Sequence, residues 1–314
     1  MRTRRHNLSE LILHHYPFSS FSEKLRAAFG VKGLAWRSVE IAGLPPRPLL
    51  APLTGGYRRA PVLQVGADIY CDTNAILPAL DRLHPARSLV PAGSEGVAQG
   101  LGFAWERQLW IPVIGVLVHY IGEHIPPDFI KDRKEGYLGI DISKAAMAPQ
   151  FDQHVQAVRA QVAWLNQALV HRPFLFGAAP SAADLACWQT LWLLRKNCPP
   201  DVDALLGLAP LLPWYERIAA FGHGTPTVMS AEEAFEVARA AKPAPVTHLD
   251  PNGDPGGLKA GCPVTITPDD NARVPVKGTL VAASASQIVI HRSDPQAGDL
   301  HVHFPRIGFD VAAA

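Results

Sequence analysis

The hydrophobic periodicity of this chain changes twice along its 314 residues, and these changes constrain the fold more than any other feature. Up to about residue 85, strand-like alternation and helical spacing follow one another in the order βαβ, β-hairpin, helix. From 93 to 241 every periodic segment has helical spacing. A segment rich in Pro, Gly and Asp follows, and after it come four or five short β-branched runs. We therefore expect an α/β domain, an all-α domain and a small all-β appendage.

The domain boundaries are predicted from these changes. They give a first domain over 8–88, an all-helical domain over 93–241, a linker over 242–258 and a small, barrel-like β domain over 259–314. The linker contains DPNGDPGG, which predicts that the β domain folds separately. Within the first domain, the spacing predicts a helix that ends at Gly30.

Composition excludes several classes of function. The chain has 29 Lys+Arg and 28 Asp+Glu, so no basic field recruits nucleic acid or an anionic membrane. Four cysteines lie far apart with no CxxC pair, which fits neither a disulfide scaffold nor a structural zinc site. The most apolar window, 110–122, is too short to span a bilayer, and the N-terminus lacks the apolar run of a signal peptide. We expect a cytoplasmic protein.

The turn YPFSSFSEKLR, between the first strand and the first helix, is the first candidate site. Ser20 with Glu23 three residues on is a capping box, so these serines can serve only to begin the helix. A hydroxyl at a helix N-terminus can also stabilise a thiolate that a ligand supplies, because free N–H groups and the positive end of the helix dipole lie beside it. The local sequence leaves both interpretations open.

Two further segments offer the same choice between structure and binding. Pro61 either begins a strand or follows a cis peptide bond, which would let Ala60 present its backbone groups to an extended peptide. Asp72 and Thr73 lie where the fourth strand turns into a helix predicted over 73–83, and either is an ordinary capping residue there. The same positions suit a ligand that carries a carboxylate and an ammonium group.

The order of these segments, followed by an all-helical region, resembles the glutathione transferase superfamily over residues 10–240. The most specific pieces are SSFSEKLR, RAPVLQVGADIYCDT and FLFGAAPSAADL. The resemblance implies a thioredoxin-like first domain that binds glutathione, and an all-α transferase domain after it. It implies glutathione contacts at Ser19, Ser20, Ala60, Pro61, Asp72 and Thr73. The family pair at the last two positions is most often glutamate and serine, and the C-terminal β segment is not part of the family architecture.

What the resemblance implies about function is a glutathione S-transferase with glutathione as co-substrate. Ser19 matches the position of the catalytic serine or cysteine, and it would activate the thiol for attack on an electrophilic small molecule in detoxification. A homodimer is expected. The wall of the electrophile pocket is predicted to include Phe18, Trp105, Trp110 and Tyr120. The alternatives are a non-catalytic adaptor that binds a protein partner, and a glutathione-dependent isomerase or dehalogenase.

Other conspicuous residues are predicted to be structural. Ser181 and Asp184 form a capping box at the start of a helix, and Cys71 is expected to be a buried strand residue. His301 and His303 lie on one face of a predicted strand, where they have the spacing of a metal-binding pair. The sequence offers no evident third ligand, so no metal site is predicted.

Overall fold

A computed structural model of the chain describes residues 10–247 and 254–314. Residues 8 and 9 of the predicted first domain lie outside the described residues, as do 248–253 of the predicted linker. The described residues divide into two compact units. The sheet unit comprises the described residues up to Ser22, Ala35–Ala79 and Thr225–Ala314, and the helical unit comprises Glu23–Leu34 and Leu80–Gly224.

Ten strands and eleven α-helices occur in the described part of the chain. The strands are β1 (Ile12–His15), β2 (Ala35–Glu40), β3 (Val62–Val65), β4 (Asp68–Cys71), β5 (Thr225–Val228), β6 (Pro263–Pro268), β7 (Val276–Ala283), β8 (Gln287–Asp294), β9 (Gly298–Pro305) and β10 (Phe309–Ala313). The helices are α1 (Ser20–Lys32), α2 (Leu50–Thr54), α3 (Thr73–Leu83), α4 (Val97–Ile121), α5 (Pro127–Asp132), α6 (Lys144–Met147), α7 (Phe151–Leu169), α8 (Ala182–Asn197), α9 (Val202–Leu206), α10 (Leu212–Ala219) and α11 (Ala231–Ala240).

All ten strands belong to one sheet, in the order β10-β6-β7-β8-β9-β4-β3-β1-β2-β5. The β1-α1-β2 unit, the β3–β4 hairpin and α3 follow the predicted thioredoxin-like order. The C-terminal strands continue this sheet, because β9 pairs in parallel with β4. This differs from the separately folded β domain that the DPNGDPGG segment predicts. Without β9, β4 would be an edge strand with unpaired backbone groups.

One hydrophobic core joins the two ends of the chain. It includes Val62 and Ile69 from the N-terminal strands and Ile290 and Phe304 from the C-terminal strands, all fully buried. The ring of Tyr57 packs edge-on against Phe304, with 5.9 Å between the ring centroids. Residues that the sequence assigns to two domains therefore bury their apolar surface against each other, which is the physical reason why they form one unit.

Several local predictions can be compared directly with the structure. The α3 helix has the predicted bounds, and Ser181 caps α8 in a capping box with Asp184, as predicted. The predicted end of α1 at Gly30 is wrong, because the helix continues to Lys32. A Cβ atom on Gly30 would lie 2.0 Å from the carbonyl oxygen of Gly222, so a glycine at this position of α1 permits close packing against the backbone at Gly222. The hydrophobic pattern of the sequence also did not predict α2 and β5.

The helical unit is built around α4, which packs against α7 and α8. The stretch Val97–His124 is long and apolar enough to cross a membrane, but 56 % of its most apolar window is buried in the protein. That burial is typical of the central helix of a globular unit. Trp188 and Trp192 of α8 are buried. The structure groups α11 with the sheet unit, although its helical spacing places it in the predicted all-α domain.

Candidate functional site

Strand register brings the three candidate segments to one end of the sheet. His14 of β1 pairs with Val62 of β3, and Val62 pairs in turn with Cys71 of β4. The residues that follow β1, precede β3 and follow β4 therefore leave the sheet at the same end. These are the serine turn, Pro61 and Asp72, so the hairpin register supplies a proximity that the sequence motifs only suggest.

The serine turn differs in detail from the predicted capping box. The Oγ of Ser19 accepts a hydrogen bond from the backbone N–H of Ser22 at 3.1 Å, so Ser19, and not Ser20, caps α1. The prediction fails because Glu23 has other partners. Its carboxylate accepts hydrogen bonds from Arg26 at 2.7 Å and from His223 at 2.9 Å.

The charge of Glu23 follows from these partners. Burial acts to raise the pKa of Glu23, but the hydrogen bond from His223 and the charge of Arg26 outweigh it, and the net pKa lies below its usual range. The carboxylate is therefore ionised at neutral pH, and its oxygens are occupied by hydrogen bonds from Arg26 and His223. It takes no part in capping α1.

Two hydroxyl groups in the first turn of α1 are buried without a hydrogen-bond partner among the described residues. They belong to Ser20 and Ser22, which are 2 % and 0 % exposed. A buried polar atom left unpaired costs roughly 1–3 kcal/mol. The hydroxyl of Ser19 keeps its own hydrogen free to donate, because it acts as the acceptor in the cap. The start of α1 thus offers hydrogen-bonding capacity that the protein itself does not use.

The backbone of the other two segments has special features that fit capping as well as binding. The Ala60–Pro61 peptide bond is cis, and Pro61 directly precedes β3. Asp72 has a φ of 78°, in the left-handed region where aspartate is one of the few tolerated residue types other than glycine. Its Oδ1 accepts hydrogen bonds from the backbone N–H and the side-chain amide of Asn74, at 2.9 and 3.1 Å. Thr73 is buried at the first position of α3.

Arg59 connects this end of the sheet to the C-terminal strands, which no sequence motif indicated. One guanidinium nitrogen, Nη1, lies 3.7 Å from Oδ2 of Asp72. The other, Nη2, pairs with the carboxylate of Asp270 and donates to the carbonyl of Asn271, in the segment between β6 and β7. The guanidinium carbon also lies 5.8 Å from the ring centroid of Phe309. Arg59 and Asp270 are 211 positions apart, so local patterning could not associate them.

The residues predicted for the electrophile pocket lie in different environments. Phe18 is 44 % exposed in the serine turn. Trp105 is buried in the helical unit, where its Nε1 donates to Oγ1 of Thr190 at 3.0 Å. Trp110 and Tyr120 are half-buried on α4, and burial raises the pKa of Tyr120. The pocket itself remains a prediction.

Two family models match the chain. Residues 13–88 match the glutathione S-transferase N-terminal domain, and 148–217 match the C-terminal domain. Among solved structures, a GST-like protein from Pseudomonas syringae is 35 % identical with a TM-score of 0.76, and the match covers 96 % of this chain and 100 % of that one. The likeness therefore extends into the C-terminal strands. No curated protein matches the chain.

More distant structures share the fold. A glutathione transferase from Phanerochaete chrysosporium is 16 % identical with a TM-score of 0.54, over 68 % of this chain and 98 % of that one. A glutathione S-transferase from Methylobacterium radiotolerans, solved in complex with glutathione sulfonate, is 17 % identical with a TM-score of 0.50, over 70 % and 97 %. With the near full-length match at 35 % identity, the chain belongs to the glutathione S-transferase superfamily.

Proposed function

We propose that this protein binds glutathione at the end of the sheet formed by the serine turn, the cis proline and the start of α3, and activates its thiol for attack on an electrophilic small molecule. The observation that carries the proposal is the unused hydrogen-bonding capacity at the start of α1, at the sheet end where Pro61 and Asp72 also lie. The complex of the Methylobacterium relative with glutathione sulfonate supports the choice of ligand.

Each proposed binding residue matches a different chemical group of glutathione. The backbone N–H and C=O of Ala60 suit the cysteinyl part, which is an extended peptide. The N-terminus of α3 and the hydroxyl of Thr73 suit the carboxylate of the γ-glutamyl end, because helix N-termini stabilise anions. The carboxylate of Asp72 suits the ammonium group beside it.

Activation of the thiol is an electrostatic task. A free thiol titrates near pH 8.5, so only a few per cent is thiolate at neutral pH. Lowering its pKa by about two units corresponds to roughly 2.7 kcal/mol. The hydroxyl of Ser19 donates to the sulfur in our proposal, and the α1 dipole adds about 0.3–1 kcal/mol in the same direction. Ser20, with its unpartnered hydroxyl, is the competing donor.

The proposal extends to the setting of the reaction. The acceptor is an electrophile removed in detoxification, the active form is a homodimer, and the protein acts in the cytoplasm.

The proposed homodimer would cover apolar surface on α4, where Val97 and Leu101 are exposed at consecutive turns. Light scattering at micromolar concentration tests the oligomeric state, and a monomer would contradict this part of the proposal.

Binding is tested first, by retention on glutathione-agarose and by calorimetry. We expect the wild-type protein to bind, and Thr73→Val to weaken binding by about 1–3 kcal/mol, because the change removes a hydroxyl and keeps the shape. A protein that shows neither retention nor binding heat would favour the adaptor alternative. Unchanged affinity in Thr73→Val would remove this residue from the site.

Activation is tested by following thiolate absorbance of bound glutathione against pH. Ser19→Ala should raise the thiol pKa and leave affinity nearly unchanged, because most affinity comes from other contacts. Ser20→Ala is the matched variant, because it removes the competing hydroxyl and keeps the α1 cap of Ser19. The difference in unfolding free energy between the two variants measures the cost of losing that cap, about 0.5–2 kcal/mol. A titration that moves in Ser20→Ala and not in Ser19→Ala would assign activation to Ser20.

A further inference from the structure

Three side chains capable of binding a metal meet where β4 pairs with β9. Asp68 of β4 is the register partner of His301, and Tyr70 is the register partner of His303. One ligand atom from each of Asp68, His301 and His303 lies within 4.8 Å of the other two. Sequence patterning gave only the histidine pair, because the third residue precedes it by more than 200 positions.

The distances within this cluster are close to those of a metal site. Oδ1 of Asp68 lies 2.8 Å from Nε2 of His303 and 3.8 Å from Nδ1 of His301. Zinc bonds of about 2.0–2.1 Å in tetrahedral geometry separate ligand atoms by roughly 3.3 Å, and the two observed distances bracket that value. Nδ1 of His301 is buried and has no hydrogen-bond partner among the described residues. A cation between these atoms would satisfy it.

The surroundings hold the ligand atoms in place. Oδ2 of Asp68 accepts a hydrogen bond from the backbone N–H of Ala244 at 2.8 Å, which leaves Oδ1 to face both imidazoles. The ring of Tyr70 stacks on His303, with 4.2 Å between the centroids and 20° between the planes. Outer contacts of this kind orient metal ligands in known sites. The side chain of His301 is 14 % exposed, so a water molecule has access to the cluster.

We propose that Asp68, His301 and His303 form a site for a divalent transition metal of the zinc type, which ties the C-terminal strands to the thioredoxin-like part of the sheet. Two imidazoles and one carboxylate are a ligand set that zinc takes in proteins, with a fourth position for water. The rival explanation is a purely structural hydrogen bond between Asp68 and His303, to which His301 contributes nothing. The proposal does not depend on glutathione binding.

The test uses the full-length, untagged protein, since a histidine tag would itself bind zinc. The protein is stripped with a chelator, dialysed against micromolar zinc and assayed for bound metal by mass spectrometry, with unfolding temperature measured in parallel. We expect one zinc ion per wild-type chain and a higher unfolding temperature with zinc than with chelator. Cobalt should give the visible absorption of a four-coordinate ion.

His301→Ala is the informative variant, because it leaves the Asp68–His303 hydrogen bond in place. We expect at least a tenfold loss of zinc affinity in this variant, and no rise in unfolding temperature on adding zinc. Asp68→Asn, which keeps the side-chain shape, should also lose zinc. His171→Ala is the control, because His171 is an exposed histidine of the helical unit and is not part of this cluster. Wild-type protein that retains no zinc above the buffer, or zinc binding unchanged in His301→Ala, would overturn the proposal.

Discussion

The ten-stranded sheet has two halves that differ in how visible they are in the sequence. The N-terminal half consists of β1–β4, with β5 paired to β2 at its edge. Its strands β1–β4 carry motifs of the transferase family, and all of their residues except Ile12 lie in the matched range 13–88. The C-terminal half, β6–β10, lies outside both matched ranges and follows a segment with the composition of a flexible linker. Both halves nevertheless contribute to one core. The difference shows that linker composition describes a connection, whereas shared strand pairing and shared burial decide what folds together.

Removing the C-terminal half should have the largest effect and tests whether the halves are one unit. Truncation after Lys242 would uncover the edge of β4 and apolar residues such as Ile69, which are fully buried in the complete chain. We expect the truncated chain to be insoluble or aggregated in expression and size-exclusion experiments, because an exposed edge strand beside apolar surface promotes association. A soluble truncated protein that binds glutathione would show instead that the halves fold independently.

A point substitution tests the same comparison in the complete chain. Phe304→Ala on β9 should cost about 3–5 kcal/mol of unfolding free energy, because its side chain is fully buried against Tyr57 and Phe309. Probes in both halves should follow a single, shifted denaturation curve. Two separate curves, with only that of the C-terminal probe shifted, would show that the two halves unfold independently.

Acid should destabilise the sheet through a buried histidine of the N-terminal half. His14 on β1 is buried against Gln64 of β3, with a hydrogen bond of 2.8 Å. Burial lowers the pKa of His14 from 6.5 to about 4, only partly opposed by that hydrogen bond. The unfolded chain therefore takes up a proton near pH 6.5 that the folded chain takes up only near pH 4. Stability should fall as the pH drops through this interval, by a total on the order of 3 kcal/mol from this residue.

The measurement is the free energy of unfolding in urea at several values between pH 7 and pH 4. His14→Asn should flatten this dependence, because it removes the titrating group and keeps a hydrogen-bonding side chain. His171→Asn, at an exposed position of the helical unit, is the control and should leave the slope unchanged. An equal slope in the wild-type and His14→Asn proteins would contradict the assignment.

The same contrast explains how much the sequence could predict. Local signals were sufficient where a feature depends on neighbouring residues, as in α3, in the capping box of Ser181 and Asp184, and in the order of the thioredoxin-like elements. They failed where distant residues decide. Glu23 does not cap α1 because it binds His223, 200 positions away.

The candidate site shows the same division. The serine turn and the residues around Pro61 and Asp72 are short motifs that the sequence and the family resemblance identify. Their proximity at one end of the sheet follows only from the register of the strands. The contact of Arg59 with Asp270, and that of Asp68 with His303, each join residues more than 200 positions apart. Hydrophobic periodicity contains no information about such pairs, because it records only which face of an element is buried.

The smallest expected effect concerns the C-terminal half at the proposed glutathione site. Asp270 shares the guanidinium of Arg59 with Asp72, and its side chain is 35 % exposed. The pair therefore contributes little to stability, and Asp270→Asn should change the unfolding free energy by less than about 1 kcal/mol. The substitution does remove a negative charge beside a site that we expect to bind a ligand with two carboxylates. Arg59 would then have one competitor fewer for those carboxylates.

We therefore expect Asp270→Asn to tighten glutathione binding by about two- to fivefold, a gain of roughly 0.4–1 kcal/mol. Calorimetry at low and at physiological ionic strength measures it, and the gain should shrink as salt screens the charge. Asp310→Asn is the control, because Asp310 is an exposed residue of the same half that pairs with Arg273 instead. An equal gain in both variants would indicate a general effect of net charge. Unchanged or weaker binding in Asp270→Asn alone, in a protein that binds glutathione, would mean that the C-terminal half supports the sheet without contributing to ligand recognition.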